Sequence, residues 1–209
     1  MRSMKKRRLI YVSGNNGVGK TTLTKLIARA GIGYAVLSVA ARNSYCNEIH
    51  KNPKKFAFEA QMAFLAEKIN RIALCLRRHD GLIIVDRSPY EDAEIFARYW
   101  YESGAMDERA FRTYIAVSTI ALQCIPQPNT FIYLHASVDT LKRRINARLR
   151  AHERKYADNF LSKLQVLYCQ WWNRRKAKNL ISIDMDRVDF LAKDGKVHLD
   201  SLKRKLRHL

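Results

Sequence analysis

"LIYVSGNNGVGKTTLTKLIARA", residues 9–30, is the stretch that decides the fold. An apolar run, Leu9–Val12, leads into a glycine-rich loop, and a helical pattern follows. Gly14-Asn15-Asn16-Gly17-Val18-Gly19-Lys20-Thr21 matches G-x-x-x-x-G-K-[ST] at every fixed position, and Thr22 follows it directly. As a bare string this could be an ordinary Gly/Asn-rich turn. The buried strand before it and the helix after it decide for a nucleotide-phosphate loop. Glycines let the backbone curl so that successive N–H groups face phosphate oxygens, and the helix N-terminus adds partial positive charge. On this reading ATP sits in the loop. Lys20 reaches its β- and γ-phosphates, and the Thr21 hydroxyl ligates Mg2+.

The other strands follow by analogy. "YAVLSV" (Tyr34–Val39), "LIIVD" (Leu82–Asp86), "FIYLHA" (Phe131–Ala136) and "LISID" (Leu180–Asp184) are also short, continuous apolar runs. Continuous rather than alternating runs are expected where helices cover both faces of a parallel sheet. Together with Leu9–Val12 they predict a three-layer α/β domain with a five-stranded parallel sheet. No repeat, low-complexity segment or Pro/Gly-rich linker divides the chain, so residues 1–209 read as one domain. Between the second and third strands, Phe58, Met62, Leu65, Ile69, Ile72 and Leu76 recur at steps of four and three, a core-facing helical stripe. Gln61, Phe64 and Lys68 share that spacing on an adjacent face. On spacing alone that face reads as the helix flank, with a pocket lining as the alternative.

Composition narrows the partners. With 39 basic and 19 acidic residues the formal net charge is +20, which favours anionic ligands. Nucleic acid or a larger assembly is compatible with that charge, but no RNA-binding signature or stacking motif supports either. The basic tail "SLKRKLRHL", with Leu199 just before it, carries leucines at helical spacing (Leu199, Leu202, Leu206, Leu209), so it is expected to pack as an amphipathic helix. Four scattered cysteines without a C-x-x-C pair fit reduced thiols, and the histidines show no zinc spacing. "MRSMKKRR" resembles the basic start of a signal peptide, but the apolar run behind it ends after four residues. No transmembrane segment follows. A cytoplasmic protein without a membrane partner is expected, with an organelle address left open.

Two further clusters bear on chemistry. "GLIIVDRSPY" ends an apolar strand in Asp86, a Walker-B-like position for a second magnesium anchor, and Arg87 follows where a transferring phosphoryl group would pass. The plainer reading has Asp86 capping the next helix and pairing with Arg87. "LKRRINARLRAHER" places Arg144 and Arg148 on one helical face, with Arg150 and Arg154 continuing the series. Read alone this is a solvated basic helix. Beside a phosphate loop it reads as a closing lid, about residues 143–154, whose guanidinium forks neutralise phosphate charge.

With these residues in place, the chain resembles the deoxynucleoside kinase family, in particular its deoxyadenosine/deoxyguanosine kinase branch. The resemblance runs from the phosphate loop to about Trp172. It is carried by "DRSPYEDAEIFARYWYESGAMDE" (residues 86–108), "KNPKKFAFEAQMAFL" (51–65), "RINARLRAHE" (144–153) and "FLSKLQVLYCQWW" (160–172). It implies a P-loop kinase fold with an arginine-rich lid, and ATP-dependent transfer to the 5′-hydroxyl of a purine nucleoside with Mg2+. Carried over residue by residue, Gln61 would bond the nucleobase, with Phe64 on the same helix face. Asp92 would read the base from the opposite side, and Lys68 stands where the family often has arginine. Asp86 would serve the metal, and Arg87 the acceptor 5′-oxygen or the phosphoryl group. Arg148 and Arg150 would be the lid arginines, with Arg144 on the ATP side. His50 falls near a family tyrosine that holds the sugar 3′-hydroxyl, and Glu153 could share that task. A homodimer is one assembly open to it.

One departure stands out. The family ends its second strand in a Glu-Pro pair whose glutamate takes the 5′-hydroxyl proton. Here the place reads "LSVAARNSY" (Leu37–Tyr45), with Ser38 or Val39 at the position and no carboxylate. A general base is worth roughly 10²–10⁴-fold. Either Asp86 acts as the base, or the acceptor is a nucleoside monophosphate that needs none, or the chain is a non-catalytic, nucleotide-binding basic subunit.

Overall fold

The apolar runs pair as expected, in one parallel sheet of order β2-β3-β1-β4-β5. The strands are β1 (Arg8–Ser13), β2 (Tyr34–Val36), β3 (Leu82–Asp86), β4 (Thr130–His135) and β5 (Leu180–Asp184). The computed structural model describes residues 8–38, 43–148, 159–175 and 179–207. The central strands β3, β1 and β4 are buried almost end to end, which accounts for their uninterrupted apolar sequences. The edges depart from expectation. β2 ends at Val36 rather than Val39, with residues 39–42 outside the described set, and β5 is half exposed rather than buried. An edge strand has a neighbour on one side only, so its residues lose less water than those at the centre.

Eight α-helical segments cover the sheet among the described residues: α1 (Lys20–Arg29), α2 (Pro53–Arg78), α3 (Pro89–Glu91), α4 (Arg98–Glu102), α5 (Glu108–Gln123), α6 (Val138–Arg148), α7 (Phe160–Arg174) and α8 (Gly195–Arg207). A π-helical segment, Asp92–Ala97, joins α3 to α4. In α8, Leu202 and Leu206 are buried and Leu199 packs against the core, as the tail's leucine spacing predicts; Leu209 lies outside the described residues. Among the described residues no helix is long and apolar enough to cross a membrane.

The strand order positions the site. From β1 the chain passes over β3 to one edge, and from β3 it passes over β1 toward the other. With right-handed crossovers these connections lie on opposite faces, which opens a crevice at the carboxyl ends of β1 and β3. Val12 is paired with Asp86 across that join, so the phosphate loop and the Asp86-Arg87 turn leave the sheet side by side.

The long helix α2 corrects one expectation. Asn52 caps it by accepting from the Lys55 N–H at 3.3 Å, with Pro53 in the first turn. Leu65, Ile72 and Leu76 are buried as predicted, whereas Phe58, Met62 and Ile69 are half-buried. Gln61 and Lys68 are 2% and 4% exposed, so their face is covered rather than a solvent-facing flank. The π segment packs on α2 as α5 does, and two neighbours bury a wider arc than one apolar stripe records.

Candidate functional site

The loop from Gly14 to Gly19 wraps tightly because its glycines adopt backbone angles that other residues avoid. Gly14 has φ 137°, and a Cβ there would lie 2.2 Å from the Leu134 carbonyl oxygen. Helix α1 starts at Lys20 with no side chain capping its first N–H groups, which leaves them for an anion. Lys20 is buried, and its Nζ donates to the carbonyls of Gly14 at 2.7 Å and Asn15 at 2.9 Å. Burial first, then the neighbouring Arg87, pushes its pKa down to about 7, against the opposing pull of Asp86 and Glu91.

Not every loop residue offers its side chain. Asn15 donates from Nδ2 to the Leu161 carbonyl at 3.0 Å and to Gln165 Oε1 at 3.1 Å, both on α7. Val18 is fully buried. Neither side chain is presented to the inside of the loop. Thr22 is half-buried in the first turn of α1.

Asp86 is 1% exposed and faces the loop. Its Oδ2 accepts from the Thr21 hydroxyl at 2.5 Å and from the Ser38 N–H at 3.3 Å, while Oδ1 is buried without a partner among the described residues. The helix-cap reading fails, because Ser88 fills that role by accepting the Glu91 N–H at 3.2 Å. The Asp86–Arg87 pairing is replaced by another contact: Arg87 donates to Asn16 Oδ1 and lies 4.3 Å over the Phe96 ring. Arg87 is the single non-glycine residue with positive φ among the described residues, at 70°. That conformation costs about 1–3 kcal/mol and persists only where surrounding bonds over-determine it. One such bond is the Arg87 N–H to the Val12 carbonyl at 3.0 Å.

The arginines of α6 reach the same loop. Arg144 donates to the carbonyls of Val18 at 3.3 Å and Met185 at 2.9 Å, and Arg148 to that of Gly17 at 3.4 Å. Arg150, Glu153 and Arg154 lie outside the described residues.

Lys68 and Asp92 form an ion pair, each side chain 4% exposed. Burial is the largest influence on both: it lowers the Lys68 pKa and raises that of Asp92, with the mutual attraction opposing each shift. Gln61 lies two turns before Lys68 on the same face of α2, and its Oε1 is buried without a partner among the described residues. Phe64 is half-buried beside it in sequence. His50 sits elsewhere, against the rings of Trp100 at 5.8 Å and Phe160 at 5.5 Å. It lines a cavity of about 210 Å3 with Lys54 and Tyr99.

Two features escaped the sequence reading. The π-helical segment carries both Asp92 and Phe96, and its wider turn sets their relative positions. The other is Glu91, 0% exposed, which accepts hydrogen bonds from Ser13, Gly14, Ser88 and Tyr168. Its capping box, Ser88-Pro-Tyr-Glu91, was legible as a helix start, but its other partners are remote in sequence.

Comparison with known proteins bears on this arrangement. The family model described as deoxynucleoside kinase matches residues 10–204. A deoxyadenosine/deoxycytidine kinase of Bacillus subtilis is 27% identical over 195 residues, covering 92% of this chain and 89% of that protein. A deoxyadenosine kinase of Lactobacillus acidophilus is 26% identical, covering 97% and 98%. Among solved structures, deoxyadenosine kinase from M. mycoides with bound dCTP superposes with a TM-score of 0.81 at 23% identity, over 96% of this chain and 100% of that one. The likeness therefore extends over the whole three-layer fold.

Proposed function

The chain belongs to the deoxynucleoside kinase family, and on that premise we propose that it transfers the γ-phosphoryl group of ATP to the 5′-hydroxyl of a purine deoxynucleoside. The β- and γ-phosphates lie on the N–H groups of the Gly14–Thr21 loop, and Lys20 turns to them from the Gly14 and Asn15 carbonyls. Thr21 Oγ and Asp86 Oδ2 are hard oxygens already in contact, and these would hold Mg2+, which neutralises phosphate charge. Arg87, Arg144 and Arg148 supply the remaining positive charge around the transferring group, as parts of one kinase domain.

The missing carboxylate near Ser38 leaves Asp86 as the proton acceptor. The 5′-hydroxyl gives its proton to Asp86 Oδ1 as the oxygen bonds the γ-phosphorus, the β–γ bridging bond breaks and ADP leaves. A loose transition state asks little of a base, because the acceptor proton is lost late. Ser38 contributes its main-chain N–H, which donates to Asp86 Oδ2 at 3.3 Å and holds that oxygen beside the loop.

The observation that carries the nucleoside reading is Gln61 Oε1, buried and without a partner among the described residues, on the helix face that also bears Lys68. An amide left unsatisfied in a dry site costs about 1–3 kcal/mol, and a nucleobase amino group would satisfy it. The purine preference draws on the relatives, several of which are deoxyadenosine or deoxyguanosine kinases. Family membership favours this over the monophosphate-kinase and non-catalytic alternatives. Radiolabelled ATP offered with each deoxynucleoside and each monophosphate tests it. Deoxyadenosine or deoxyguanosine should take up the most label; label on monophosphates alone, or on nothing, overturns the reading.

A further inference from the structure

We propose that Glu91 is a positioning residue that sets affinity for the phosphate donor by holding the first peptide of the phosphate loop. The carboxylate is fully buried and touches three separate parts of the chain. Its Oε2 accepts from Ser13 Oγ at 2.8 Å and from the Ser88 N–H at 2.7 Å. Its Oε1 accepts from the Gly14 N–H at 3.2 Å and from the Tyr168 hydroxyl at 2.8 Å. Each oxygen thus takes one main-chain N–H and one hydroxyl.

The consequence lies in which peptides are held. Gly14 gives its N–H to Glu91, while its carbonyl accepts from Lys20 Nζ at 2.7 Å, so the peptide groups on both sides of the Gly14 Cα are held. The Ser88 N–H on the other oxygen ties the turn that carries Arg87 to the same carboxylate. Tyr168 ties the carboxylate to α7, the helix that also receives the Asn15 side chain. Glu91 therefore joins the loop, the Arg87 turn and α7 without lying against phosphate itself.

A neutral amide of the same shape cannot do this. Glutamine offers one acceptor oxygen and one NH2, and hydroxyls can rotate to accept from the NH2 but a main-chain N–H cannot. One of the two N–H groups must then face another donor. The Ser88 bond, at 2.7 Å, is shorter than the Gly14 bond at 3.2 Å, so the oxygen stays with Ser88 and the NH2 opposes Gly14. The loop is disturbed and the Arg87 turn is kept.

The test is Glu91→Gln, with ATP and deoxyadenosine varied separately and folding followed by circular dichroism. The ATP KM should rise about tenfold or more while the deoxyadenosine KM stays within about twofold. A lower melting temperature with both constants unchanged, or an equal rise in both, overturns the proposal. Should that variant not fold, Tyr168→Phe keeps the carboxylate and both N–H bonds but removes the hydroxyl that shares Oε1 with the Gly14 N–H. It should raise the ATP KM by about two- to fivefold and leave the nucleoside constant alone; an unchanged ATP KM overturns the proposal. The inference rests on ATP occupying the loop, and Lys20→Ala separates the two: unchanged ATP affinity in that variant refutes the loop assignment, whatever Glu91 does.

Discussion

Replacing Lys68 by methionine removes one half of the Lys68–Asp92 pair while keeping the length of the side chain. Both side chains are 4% exposed, so water cannot take over the lost interaction. An orphaned buried charge of this kind costs about 3–5 kcal/mol. For a chain of this length that corresponds to a fall in melting temperature of roughly 6–20 °C. Replacing Asp92 as well, as Lys68→Met/Asp92→Val, removes the orphan and should return stability to within about 1 kcal/mol of the parent. The deficit of the single variant should also depend on pH. Burial already holds the Asp92 carboxyl above its usual range, and Lys68 is what pulls it down. Without Lys68 the folded pKa rises further above the unfolded value. The penalty is therefore present above that folded pKa and relieved as pH falls through it. Urea denaturation of the parent, the two single variants and the double variant at neutral and mildly acidic pH measures all of this. A cost below about 1 kcal/mol for Lys68→Met, or single costs that simply add in the double, would refute the argument. Function is read in parallel: the double variant should fold yet show a raised deoxynucleoside KM with ATP binding unchanged.

Two other outcomes follow from the site. Lys20, with a pKa brought down to about 7 by burial and then by Arg87, must be protonated to meet ATP. Between pH 7 and 9 ATP binding should weaken by up to about tenfold per unit, and calorimetry in two buffers at pH 8 should register proton uptake; its absence would count against the assignment. Asp86→Asn should lower turnover by at least about 10²-fold, since the amide accepts no proton and carries no charge for a metal. Ser38→Glu, which puts a carboxylate back at the end of the second strand, should raise nucleoside turnover; a fall would place the acceptor hydroxyl elsewhere.

Local chemistry made much of this protein legible in its sequence. The phosphate loop could be read because its glycines answer a steric demand made within the loop itself and by its immediate neighbours. The central strands could be read because burial on both faces leaves an uninterrupted apolar run. Asp86 and Arg87 were visible because a charged pair directly behind such a run must sit at the sheet's carboxyl edge. Edge strands were less clear, since their apolar residues look like those of β1 and β3 but are only partly covered.

Relations between distant segments were set by tertiary structure. The spacing of Gln61 and Lys68 did not show that their face is the buried one, because that depends on α5 and the π segment packing against α2 from a different part of the chain. Asn15 fits the loop motif, yet its side chain is taken by α7, some 150 residues further on. Nothing near Arg87 in sequence foretold its left-handed backbone or its placement over Phe96, which depends on a wider helical turn. Glu91 is the clearest case. Its sequence neighbours mark a helix start, whereas its role comes from Ser13, Gly14 and Tyr168, 77 or 78 residues away along the chain. The sequence determined the chemistry of the phosphate site and the strands that carry it, because those demands are local. Only the folded chain decided which polar groups share a dry interior, because burial of a charge is a property of everything packed around it.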